Sequence, residues 1–74
     1  LTGRDIDGAE AKISSAIAKF PDRAEFLDTL AVVLAAKGDH QGARDASWAA
    51  AQYSPDDVYL FTQALRYEAA LSLD

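Results

Sequence analysis

Apolar residues return along this chain every three to four positions, and nowhere do they alternate with polar ones. The series Leu27, Leu30, Ala31 and Leu34 falls at i, i+3, i+4 and i+7, which on a helix is one continuous stripe. Glycine and proline occur only at Gly3, Gly8, Pro21, Gly38, Gly42 and Pro55, and they cut the chain into four segments that each keep this period. The pattern predicts four helices, at about Ile6 to Phe20, Ala24 to Lys37, about His40 to Tyr53, and about Pro55 to Leu71. It predicts no strand. Connections of two to four residues make consecutive helices antiparallel neighbours.

End signals support these limits. Asp22 with Glu25 three residues on has the form of a capping box. Lys37 and then Gly38 supply a cation in a last turn and a residue suited to a left-handed cap. Asp39 is placed to cap the third helix. Ser54 is expected to cap the fourth, with Pro55 in its first position, Asp57 completing the box, and Tyr53 packing on Val58 across the start. The expected buried faces are Ala9, Ile13, Ala16, Ile17 and Phe20 on the first helix, and Ala43, Ser47, Ala50 and Ala51 on the third. The fourth is apolar nearly all round, through Val58, Tyr59, Leu60, Phe61, Leu65, Tyr67, Leu71 and Leu73.

Composition narrows the class. Sixteen alanines among 74 residues favour helix in a chain sized for one small domain, residues 1–74. The longest apolar run, Leu30 to Ala36, is far short of the roughly 20 residues that span a bilayer, so no membrane insertion is expected. The absence of cysteine removes disulfides, thiol nucleophiles and thiolate metal sites. A soluble chain is expected, with the cytoplasm slightly favoured. It begins at Leu1 and contains no methionine, as expected of a segment of a longer protein. The net charge is −5, and from Gly38 onward Arg44 and Arg66 stand against Asp39, Asp45, Asp56, Asp57, Glu68 and Asp74. Such a surface does not suit nucleic acid, whose phosphates need basic groups.

The stretch Gly38-Asp39-His40-Gln41-Gly42 holds the single histidine. A phosphate loop would add glycines and a lysine or serine at fixed spacing, and a metal site would need further ligands, so the stretch reads as a turn and cap. Serines are plentiful, but none is paired by sequence with a base. No catalytic residue, cofactor or metal site is expected.

A repeat appears at a spacing of 34. Asp5, Gly8, Ala9, Ala16, Pro21 and Asp22 match Asp39, Gly42, Ala43, Ala50, Pro55 and Asp56, and Ala35-Ala36 matches Ala69-Ala70. Two helices in a period of 34 residues resemble the tetratricopeptide repeat. The span Ala24 to Asp57 carries the likeness: Leu27, Leu30, Ala31 and Leu34 on one helix, Ala43 and Ala50 on the next, and Pro55 at the close. Ser47 and Glu68 depart from it, both standing where that family has aromatic residues, and Trp48 lies one place beyond Ser47. The resemblance implies an all-α stack of helical hairpins. It also implies a non-catalytic scaffold that binds a peptide or protein segment on a groove face. Here that face comprises Glu25, Asp28, Thr29, Val32 and Ala36 with Tyr59, Thr62, Gln63 and Arg66. The subtype that grips a terminal carboxylate uses basic residues where this chain has Glu25 and Asp28, so a basic or neutral segment is the expected ligand. The alternative is an oligomerisation module, with the outer helices meeting copies in a homodimer.

Overall fold

A computed structural model describes residues 3–72, with side chains from Asp5 onward, so Leu73 and Asp74 lie outside it. The described residues form four helices and no strand: α1 (Gly3–Lys19), α2 (Ala24–Lys37), α3 (His40–Tyr53) and α4 (Val58–Ser72). The protein is all-α, built of helical hairpins. Each helix packs chiefly against its neighbours in sequence, α2 on α3 most extensively, then α3 on α4 and α1 on α2. The result is a slab, 32 × 30 × 15 Å, little thicker than one helix with its side chains. Among the described residues, no helix is long and apolar enough to cross a membrane.

The turns show how the chain is divided. Gly38 has φ 90°, and its N–H and that of Asp39 bond back to the carbonyls of Ala35 and Leu34, which closes α2 in a left-handed cap. Asp39 then opens α3, its Oδ1 accepting from the Gly42 N–H at 2.9 Å. The start of α2 differs from expectation. Arg23 occupies the cap position in extended conformation without a side-chain cap bond, and its guanidinium lies 5.6 Å from the Phe20 ring centre. The start of α4 also moves. The Ser54 N–H is used to end α3 on the Ala50 carbonyl, so Ser54 and Pro55 belong to the turn. Asp57 caps α4 instead, its Oδ1 accepting from Tyr59 N–H at 3.0 Å and Leu60 N–H at 3.4 Å. Tyr53 and Val58 stay exposed and make no staple.

The core is built from small residues at a close crossing. Ala43, Ala46, Ser47, Ala50 and Ala51 of α3 are all buried, which lets α2 and α4 approach from two sides. Ala24, Leu27, Ala50, Ala51 and Leu60 form one cluster, with Ile17, Trp48 and Ala49 packed on it. On α2 the expected stripe is split: Leu27 and Ala31 are buried, Leu30 and Leu34 half-buried, while Val33 is buried although it lies outside the stripe. The helix is therefore covered on two sides rather than one. Ala9, Ile13, Ala16 and Ile17 of α1 are half-buried, and Phe20 is exposed, touching Phe26 edge-on at 6.4 Å.

Trp48, one place beyond the departure at Ser47, meets the other departure, Glu68. Trp48 packs edge-to-face on Phe61 at 5.4 Å and donates its Nε1–H to Glu68 Oε1 at 3.0 Å. Arg44 adds an ion pair to Glu68 Oε2 at 3.6 Å. An indole and a carboxylate thus tie α3 to α4.

Candidate functional site

Covering α2 from two sides leaves it one narrow open strip. Glu25, Thr29, Val32 and Ala36 are its exposed residues on that strip, at i, i+4, i+7 and i+11. Thr29 Oγ1 donates to the Glu25 carbonyl at 2.9 Å, which turns its hydroxyl onto the helix's own backbone. Val32 is half exposed at the centre of the strip. At its far end Ala36 joins Ile6, Asp7 and Lys37 around a shallow depression. There Lys37 bridges back to Glu10 and lies 3.9 Å from Asp7. The hydrogen bond to Glu10 is the main reason the Lys37 ammonium holds its proton above the ordinary lysine value.

Asp28 borders the strip on the side of α4. The residue is half-buried, and its Oδ1 is closed off from solvent with no protein group donating to it. Burial pushes its carboxyl above the usual aspartate value, and the charge of Asp57 pushes it further. Across from it, burial raises the Tyr67 hydroxyl, followed by the charge of Asp28 and by Tyr59, against a lowering from Arg66. Asp28 of α2 and Tyr59, Arg66 and Tyr67 of α4 therefore share one electrostatic neighbourhood. Along α4 a short polar chain extends it: Arg66 donates to Gln63 Oε1 at 3.5 Å, and Gln63 Nε2 donates to Tyr59 Oη at 3.3 Å.

Of the nine residues expected on the groove face, the four exposed on α2 form the open strip, and Asp28, Tyr59, Gln63 and Arg66 gather beside it. Thr62 is exposed too, one helical turn from both Tyr59 and Arg66 on α4. Tyr67 was not among the expected residues. Its place at i+4 from Gln63 is the signal that would have found it. His40 is exposed in the first position of α3, while its neighbour Asp39 is engaged in the cap.

No family model, curated protein or solved structure matches this chain.

Proposed function

We propose that this chain is a non-catalytic interaction module of the tetratricopeptide type. It takes an extended peptide or protein segment along the open strip of α2 and the adjoining side of α4. The observation that carries this reading is Asp28: a carboxylate oxygen withdrawn from water, without a donor, at the edge of an exposed helical strip. A buried acceptor left unpaired costs free energy, and a donor brought by a ligand would relieve that cost. Val32 and Ala36 offer apolar contact along the strip, and Glu25 adds a second negative charge at its start. The ligand that fits is a segment carrying lysine or arginine among small or apolar residues. The test is selection of a displayed library of random peptides on the chain. Enriched peptides are expected to carry Lys or Arg, and to lose binding to the double variant Glu25→Gln/Asp28→Asn. Enrichment of acidic peptides, or binding indifferent to the double variant, contradicts the reading.

A further inference from the structure

The two sides of the groove differ in sign. On α4, Tyr59, Gln63, Arg66 and Tyr67 fall at i, i+4, i+7 and i+8, within about 100° of one another around the helix. Across from them α2 presents Glu25 and Asp28, and neither carboxylate has an ion pair among the described residues. The cation on the α4 side is Arg66, which is exposed and likewise makes no ion pair among the described residues. The other basic residue after Gly38, Arg44, is taken up by Asp45 and Glu68. In the acidic half of the chain one guanidinium is thus left over among the described residues, and it stands on the groove.

Asp28 and Arg66 do not neutralise each other. Burial and then Asp57 raise the Asp28 carboxyl, and no cation lowers it. Yet both charges reach the Tyr67 hydroxyl, which burial raises first, Asp28 and Tyr59 raise further, and Arg66 lowers. That hydroxyl lies between a negative side and a positive one. The α4 side is built of donors. Gln63 holds Arg66 through its Oε1 at 3.5 Å and turns its Nε2 to Tyr59 Oη at 3.3 Å. The guanidinium has further N–H groups to offer, and the Tyr59 oxygen, already accepting, keeps its own O–H to donate. Guanidinium N–H groups meet a carboxylate in pairs. The α2 side is the reverse, since ionised Asp28 and Glu25 only accept. In an extended segment successive side chains point to opposite sides, so neighbouring residues of opposite charge reach the two sides of the groove together.

We infer that the groove reads charges of both signs in one segment, a lysine or arginine at Asp28 and an aspartate or glutamate at Arg66. This specificity rests on the peptide-binding reading above and narrows it. A purely basic segment matches the α2 side alone and sets its charge against Arg66, whereas a segment of both signs matches both sides and discriminates against either charge by itself.

The test runs the selection from a displayed library of random peptides on three chains: the unchanged one, Arg66→Gln and Asp28→Asn, with circular dichroism to show that each variant keeps its helices. Peptides from the unchanged chain are expected to carry an acidic residue together with Lys or Arg. Those from Arg66→Gln are expected to keep the basic residue and lose the acidic one, and those from Asp28→Asn the reverse. A synthetic peptide from the first selection is expected to bind Arg66→Gln about two- to fivefold more weakly, the range of an exposed ion pair. Changing its Asp or Glu to the amide should weaken binding to the unchanged chain by the same factor and binding to Arg66→Gln no further. Peptides from the unchanged chain that carry Lys or Arg without an acidic residue, or an acidic residue that Arg66→Gln still selects, overturn the inference and leave the groove reading standing. Failure to enrich Lys or Arg on the unchanged chain overturns the groove reading, and this inference with it.

Discussion

Gly8 and Gly42 occupy equivalent places in the 34-residue register, yet their surroundings differ. A Cβ on Gly42 would lie 2.5 Å from Asp39 Oδ2, while one on Gly8 would meet nothing within 4 Å. Gly8→Ala is therefore expected to raise stability by about 1 kcal/mol, the usual helix gain, and Gly42→Ala to gain much less because the cap of α3 must shift. Thermal melts of the two variants check the difference. Ser47 is fully buried with no partner for its Oγ, so Ser47→Ala should stabilise by about 1 kcal/mol, read by urea unfolding. Asp28 gives a pH signature. Its folded value lies above the unfolded one, so folding takes up a proton as pH falls through the interval between them. The ionised carboxylate opposes folding at neutral pH, and acidification removes that opposition. Asp28→Asn is expected to raise the melting temperature at neutral pH, with the gain fading as pH falls toward about 4 and absent below it. A gain that does not change with pH would contradict this origin.

At the scale of elements, helix number, type and most limits were legible because caps and breakers coincide with the stripes. Gly38 and Asp39 could be assigned from residue type alone, since a left-handed turn and an N-cap each favour few residues. The Ser54 to Asp57 turn could not, because it holds three acceptors able to cap a helix, and the choice depends on where α3 ends. Asp57→Ala should accordingly cost about 1 kcal/mol and Ser54→Ala less, as measured by chemical unfolding. The face of α2 was harder to read: apolar residues on both sides blur a single stripe, and only the docking of α1 and α3 separates Leu27 from Leu30. Leu27→Ala is expected to cost about 2–5 kcal/mol and Leu30→Ala clearly less. The open strip of the candidate site followed from the same repeat. The burial of Asp28 did not, since it depends on how closely α4 comes to α2, which no local pattern records.

At the scale of the whole molecule, the helices are stacked in chain order, with α2 and α3 between two neighbours each and α1 held chiefly by α2. Stability in such a stack is unevenly shared. Amide hydrogen exchange is expected to be slowest in α2 and α3 and faster in α1, and equal protection of all four helices would argue against the serial arrangement. The same feature governs how the chain reaches its structure. Every major contact joins helices separated by one short turn, so little entropy is lost in bringing distant segments together before packing rewards it. A search of that kind is brief, on the order of microseconds to milliseconds. The slab needs no late step in which the two ends of the chain must find each other.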